Sequence, residues 1–456
     1  MGRNEVQRIV MKNATPVGCL LVVGCCGLSF AEPLSRVEAV AAALQANPEV
    51  QKSIKDLDRL GGQILEARAD ALPEVELISS ALRFRDPALL NSSSFDSFPP
   101  ELRDSLTPIP ANLFESGVRV SQTLLSFKLG SAIRAAHLGA DLGHEEVRRV
   151  GQTVALEAIR AYNTYLLSLE QVKVAEKSVR QKEQHLEAAR NRRAAGVATD
   201  LDVLRSQVDL ENQRTQFLRL RGVAELARGQ LNAVMVHPIN APIEPTDNLD
   251  YAPFEVTLDQ AVREAWTSRP ESKQVALEED LRQQEIKIET AEARPTVDFE
   301  GQYGYSVRQP ENFFNRDFTR WSAGFTLTVP LFDGFRSAGR VAQARAERDK
   351  VQQDRIALEN QIRLEAKDAV DRLAVARSIL EAAELNVTQA QKALDMTQAN
   401  YNYGAATTLD VLDAQAALTL AESNRIQALY QHANARATLR YVMARDPLGP
   451  PAPASP

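Results

Sequence analysis

Cysteine, histidine and aromatic side chains are scarce in this chain of 456 residues, and each scarcity closes off a class of function. The three cysteines, Cys19, Cys25 and Cys26, all fall within the first 31 residues. A chain cut after that leader therefore carries no disulfide and no thiolate metal site. The five histidines, His137, His144, His185, His237 and His432, are too dispersed for metal-ligand spacing, and no glycine-rich phosphate loop follows a strand pattern. No metal, nucleotide or other cofactor is expected, and no enzyme activity. The chain holds 53 basic and 60 acidic side chains, a net charge of −7; removing residues 1–31, with three basic and one acidic, leaves −9. An acidic surface of that kind argues against nucleic acid as a partner. Beyond the leader there is no run of about 18 apolar residues, so no transmembrane helix can be drawn. A membrane passage would have to be β-structure.

The leader itself reads as a secretory signal peptide. Lys12 supplies the positive charge, an apolar run extends to Phe30, and Ser29-Phe30-Ala31 fits a small-x-small cleavage site, so that the exported chain starts near Glu32. Met1 and Met11 are both candidate starts. Val22-Val23-Gly24-Cys25 offers a different processing, with lipid attached to Cys25; against it stands Cys25 as one more small apolar residue of the signal.

What the exported chain does have is an internal duplication. Ala43 to Glu49 recurs as Ala265 to Glu271, and Ala67 to Pro73 recurs as Thr290 to Pro295, with Pro48/Pro270 and Pro73/Pro295 both 222 residues apart. Gly196 to Leu204 recurs as Gly404 to Leu412 at an offset of 208, so the first copy is about 14 residues longer between these landmarks. The excess matches the Ser- and Pro-rich stretch from Pro87 to Pro110, which has the composition of a surface loop.

Within each copy the period of the apolar residues changes. Val297, Phe299, Tyr303, Tyr305 and Val307 alternate with polar residues, as do Trp321, Ala323, Phe325, Leu327 and Val329. Strands are therefore predicted near 296–308 and 320–332, and in the first copy near 114–125 and, with poorer alternation, near 74–84. The remainder is predicted helical. Leu373, Leu380, Val387, Leu394 and Tyr401 recur every seven residues, and Tyr165, Val172, Val179 and Leu186 keep the same period, which is coiled-coil spacing. Phe335 to Tyr403 has no proline and only Gly339, enough for a helix of roughly 100 Å.

Four strands per chain cannot close a barrel, since the smallest have about eight. In a bilayer a spanning sheet must close without an edge, so several chains would have to share one barrel. Of the 15 phenylalanines, 12 lie in the windows 84–127 and 299–335, beside Trp321, Tyr303 and Tyr305. Aromatics in that density suit the interfacial girdles of an outer-membrane barrel; a soluble β-sandwich core is the competing reading.

With its two proline-broken opening helices, a proline at each passage from helix to strand, Val329-Pro330-Leu331-Phe332-Asp333-Gly334, and Tyr401-Asn402-Tyr403-Gly404 before Leu409-Asp410-Val411-Leu412-Asp413-Ala414, the chain resembles the TolC family of outer-membrane efflux proteins. The resemblance runs from Leu34 to about Arg445. It implies a mainly α fold with a small β part: a homotrimer with a shared 12-stranded transmembrane β-barrel, four strands per chain, on a long periplasmic α-helical barrel built from two tandem repeats. The domains expected are a signal peptide at 1–31, repeat 1 at 32–236, an equatorial linker at 237–256, repeat 2 at 257–445 and a Pro-rich tail at 446–456. The function implied is a passive exit duct in the outer membrane of a Gram-negative bacterium, part of a tripartite efflux or type I secretion system. Its partners would be outer-membrane lipid, a periplasmic adaptor (membrane fusion protein) and an inner-membrane pump of the RND or ABC type. A periplasmic coiled-coil adaptor is the main alternative, but it would carry one hairpin on a lipoyl-like domain; a structural envelope coiled coil would have no use for the strands.

Gly196 and Gly404 stand where each long helix must reverse, a place for the left-handed conformation that glycine adopts without a Cβ penalty. They mark the hairpin tips at which an adaptor would dock. Asp202, Asp410 and Asp413 follow within the first turns of the returning helices, where a carboxylate is stabilised by the helix dipole in any protein. The resemblance gives Asp410 and Asp413 a further role: repeated three times around an axis, they form the narrow periplasmic gate as rings of charge that select cations. It also assigns Asp202 and Tyr401 to the contacts that hold the gate closed. This chain departs from that pattern, with Ala406 where some members have an arginine and Leu201 where they have a hydroxyl, so its closed state is expected to be looser or held by other contacts.

Overall fold

The computed structural model describes residues 32–84, 99 and 111–446. The leader with Cys25, most of the stretch from Pro87 to Pro110 and the tail after Asp446 lie outside the described residues. In chain order the first repeat comprises β1 (Glu32–Leu34), α1 (Arg36–Ala46), α2 (Pro48–Ala69), β2 (Glu74–Phe84), β3 (Ala111–Leu125), α3 (Leu129–Ala194) and α4 (Asp200–Met235). After β4 (Ile243–Pro245) the second has α5 (Leu258–Ser268), α6 (Pro270–Ala291), β5 (Thr296–Val307), β6 (Thr319–Thr328), α7 (Arg336–Asn402) and α8 (Thr408–Val442).

Local chemistry sets the helix boundaries. Ser35 and Glu38 form a capping box that starts α1. Asn47 ends it, and the Asn47 side chain then accepts from the Glu49 amide to start α2, with Pro48 at its first position. The same break recurs between α5 and α6 at Arg269-Pro270, this time without a side-chain cap. The helices α3 and α7 run for 66 and 67 residues, each roughly 100 Å at about 1.5 Å per residue. Each reverses into a shorter partner, giving the hairpins α3/α4 and α7/α8, while α8 packs on α3 and the short helices α2 and α6 fill the flanks.

The four long strands form one antiparallel sheet in the order β2-β3-β5-β6. Its centre is the join between the two repeats, where β3 pairs with β5. The register lines up Leu77, Val118, Tyr303 and Trp321 in a single row across all four strands. Because side chains alternate, this row shares a face with Phe325 and Leu327, and the face is open: Leu77 is 77%, Trp321 73% and Phe325 72% exposed. The opposite face carries Glu76, Arg119, Gln302 and Ser322 in one row. There Arg119 lies between Glu76 and Glu300, and Thr123 Oγ1 donates to Asp298 at 2.8 Å. One face is thus apolar and the other charged and self-paired.

Two strands differ from their predicted spans. β6 stops at Thr328, short of residue 332, because Pro330 has no N–H to give a ladder. β3 begins at Ala111, extending the pairing with Phe84. The weak alternation of β2 is explained by its face: Val75, Leu77, Ser79 and Ala81 share the apolar side, and small polar residues dilute the pattern.

The core is densest where the two hairpins meet the beginning of the chain and the linker. Tyr162 and Tyr165 of α3 pack there with Leu231, Met235, Leu380 and Leu429. Tyr162 Oη donates to the Leu34 carbonyl at 2.8 Å and Tyr165 Oη to that of Ile243 at 3.1 Å. These two carbonyls belong to β1 and β4, which pair in parallel. Three residues are too few to display a period, so nothing in the sequence announces this small sheet. Burial, with the Asp247 carboxylate nearby, pushes the Tyr162 phenol up to about 12.

Candidate functional site

Both hairpin ends close in the same way. Gly196 has φ +78° and Gly404 φ +77°. The Val197 amide donates to Arg192 O and the Gly196 amide to Arg193 O; Ala405 donates to Asn400 O and Gly404 to Tyr401 O. This is the Schellman arrangement, which satisfies the last carbonyls of a helix and needs a left-handed residue at its centre. A threonine then starts the return helix. Thr199 and Asp202 form a capping box on α4, and Thr407 and Asp410 form its twin on α8. Arg193 also pairs with Asp200 across the first turn.

The expected gate residues are therefore not equivalent. Asp410 Oδ2 accepts from the Thr407 hydroxyl and amide, both at 2.7 Å, and these bonds hold its carboxyl below the usual carboxylate range. Asp202 is held down in the same way by Thr199. Asp413, one turn on and exposed, makes no hydrogen bond or ion pair among the described residues. It lies three residues beyond Asp410, on the same side of α8. Of the two acids, Asp413 alone has its full hydrogen-bonding capacity open.

No hydrogen bond joins Tyr401 to Asp202 among the described residues. Tyr401 instead meets three groups the sequence had not singled out for it. The Arg192 guanidinium carbon stands 4.1 Å from its ring centroid, the His185 ring 6.5 Å away, and the Tyr401 hydroxyl lies 3.4 Å from Thr408 Oγ1. Arg192 and His185 belong to α3 and Tyr401 to α7, so this cluster joins the two hairpins of one protomer. One sign of it was legible: Lys182, His185, Ala189 and Arg192 are spaced by three, four and three, which puts charged residues on a coiled-coil seam.

The sequence pattern of outer membrane efflux proteins matches residues 39–235 and again 261–445, most of the described chain. The chain belongs to the outer membrane efflux protein family. Among the relatives of this efflux protein are outer membrane protein OprJ of Pseudomonas aeruginosa, 25% identical over 82% of this chain and 77% of its own, and alkaline protease secretion protein AprF of the same species, 23% over 90% and 84%. Cobalt-zinc-cadmium resistance protein CzcC of Cupriavidus metallidurans is 24% identical over 91% of both chains. The fold is shared with solved structures: the CmeC outer membrane channel of Campylobacter jejuni superposes with a TM-score of 0.77 at 14% identity, covering 90% of this chain and 85% of that one, and outer membrane protein VceC of Vibrio cholerae with 0.74 at 18%, covering 90% and 96%. These matches support the duct and not the adaptor that the sequence left as an alternative. The efflux protein is an outer-membrane channel of the TolC type that extends into the periplasm. No helix among the described residues is long and apolar enough to cross a membrane.

Proposed function

We propose that three copies of this chain form one exit duct, opened at its periplasmic end when an adaptor docks on the hairpin tips at Gly196 and Gly404 and connects the duct to an inner-membrane pump of the RND or ABC type. The observation that carries this reading is the sheet. Four strands with one apolar face leave β2 and β6 as bare edges, and such edges cannot stand in lipid. Pairing β6 of one copy with β2 of the next removes them, and three copies of the four-stranded sheet give a barrel of 12 strands, with the Leu77–Trp321 row toward lipid and the Arg119 network toward the lumen. At the other end Asp410 and Asp413 would recur three times around the axis, and rings of carboxylate attract cations. Relatives named for protease secretion and for metal resistance align over most of the chain, which supports a conduit whose cargo is chosen by its partners.

The deciding experiment is single-channel conductance of the detergent-extracted protein in planar bilayers, wild type against the double variant Asp410→Ala, Asp413→Ala. A small cation-selective conductance that grows or loses selectivity in the variant supports the duct and its carboxylate aperture. Stable pores with the same conductance and selectivity in both would remove the aperture, and no pore at all would remove the duct.

A further inference from the structure

The contact between the hairpins near their tips contains a histidine in an uncomfortable place. His185 of α3 is half-buried, and its Nε2 is buried with no hydrogen-bond partner among the described residues. On its own helix it is flanked by Lys182, one turn before, and Arg192, two turns after. From α4 it is faced by Asp209, whose Oδ2 stands 2.6 Å from Lys182 Nζ in an ion pair not aligned as a hydrogen bond. From α7 it is faced by the Tyr401 ring. The one carboxylate in reach is thus already engaged by a buried lysine. Burial, then Lys182, push the imidazole below its ordinary pKa; Asp209 opposes them, and Arg192 adds to them.

We propose that His185 is a positioning residue of the aperture, a wedge that while neutral holds the first hairpin against Tyr401 of the second and on protonation lets the two part. An imidazolium there would place its charge between two cations, with the one carboxylate in reach held by the Lys182 ion pair, and the charge is best relieved by moving toward water. Moving α3 away from α7 also breaks the stacking of Arg192 on Tyr401, which desolvation had strengthened. The sign follows from linkage. A base whose pKa is depressed in the closed form stabilises that form fully above about 6.5, its value when solvated, and progressively less as pH falls from there to the depressed value. Below that value the loss is complete. Acid therefore favours separated hairpins. The inference rests on the hairpin ends being the gate, and it supplies the closing contact that Asp202, occupied by its cap, does not make within the protomer.

The test uses the assembled channel with spin labels at Val197→Cys and Ala405→Cys, which are clean positions because all native cysteines lie at residues 19–26. The distance between labels is measured at pH 7.5 and pH 5, beside conductance. In the wild-type background the short-distance population should fall below about pH 6.5, by up to about tenfold in the ratio of closed to open for each unit by which the two states differ in pKa. His185→Gln, which keeps polarity and cannot titrate, should show the same distances at both pH values, and so should His185→Phe where it assembles. A distance that ignores pH in the wild type, or a response that survives in His185→Gln, overturns the wedge whatever the conductance does. Tips that part in acid while conductance stays constant overturn the gate reading instead.

Discussion

Gly117 of β3 and Gly304 of β5 stand directly opposite each other across the join between the two repeats, so close that neither has room for a side chain. A Cβ on Gly117 would lie 2.7 Å from the Tyr303 carbonyl oxygen and 2.9 Å from Gly304 Cα; one on Gly304 would run into Ser116 and Gly117 backbone. Their neighbours in the row are Ile78 and Arg320, on the charged face of the sheet. Glycines in mid-strand mark close backbone approach and bending, and a sheet that closes on that face must bend there.

Gly304→Ala or Gly117→Ala should therefore damage the channel before it reaches the membrane. Forcing a methyl into backbone costs about 1–3 kcal/mol by overpacking, and here it acts on the pairing that joins the repeats. The expected outcome is loss of most of the proposed trimer on unheated electrophoresis. Gly324→Ala is the control, because a Cβ there meets nothing within 4 Å; it should assemble like the wild type.

The tip glycines behave oppositely. A Cβ on Gly404 or Gly196 would also meet nothing within 4 Å, so the obstacle to substitution is the positive φ alone. Gly404→Val should cost about 1–2 kcal/mol in backbone strain, fray the Schellman turn, and weaken adaptor docking while leaving barrel assembly intact. Gly404→Asn should be tolerated better, since asparagine visits the left-handed region. Export assays together with oligomer yield separate the two effects; normal export by Gly404→Val would argue against docking at this turn.

Much of this architecture was legible because repetition made it so. The duplicated prolines and the Gly-to-Leu tip motif located both breaks, both strand pairs and both reversals. What stayed hidden depends on contacts between segments far apart in sequence. Asn47 caps its helix by itself, but its counterpart Arg269 makes no cap; it is buried and paired with Glu271 and with Glu365 of α7. Burial alone would lower its pKa, and the bonds to Glu271 and Glu365 more than reverse this. Nothing near residue 269 announces Glu365. Likewise the family pattern directs attention from Tyr401 to Asp202, and only the packing of α3 on α7 brings in His185 and Arg192.

The buried His432 should make the contact between α8 and the linker acid-sensitive. His432 of α8 is 2% exposed, its ring tilted against that of Tyr251 of the linker with centroids 4.9 Å apart. Burial, then Arg436 of α8 and Arg377 of α7, push its pKa below the ordinary value. The contribution to stability is complete above about pH 6.5 and is lost as pH falls from there to the depressed value, at about 1.4 kcal/mol for each unit of depression. The thermal unfolding midpoint should drop between pH 7 and pH 5. His432→Phe, which keeps a ring against Tyr251, should flatten part of that slope and leave the tip distances unchanged.

Asp410 serves a helix cap and is proposed to serve a gate, and two substitutions pull those roles apart. Thr407→Ala removes the cap and keeps the charge; losing an N-cap costs about 1 kcal/mol, and the return helix should fray without loss of cation selectivity. Asp410→Asn keeps an acceptor for the Thr407 hydroxyl and amide and removes the charge, so the tip should stay folded while selectivity falls. Asp413→Asn has no cap to lose among the described residues, and it should alter selectivity alone. Ion selectivity measured from reversal potentials across a salt gradient reads the charge, and protease sensitivity of the Gly404 turn reads the cap. If Thr407→Ala and Asp410→Asn change both readouts alike, the carboxylate acts through the fold of the tip and not through its charge in the aperture.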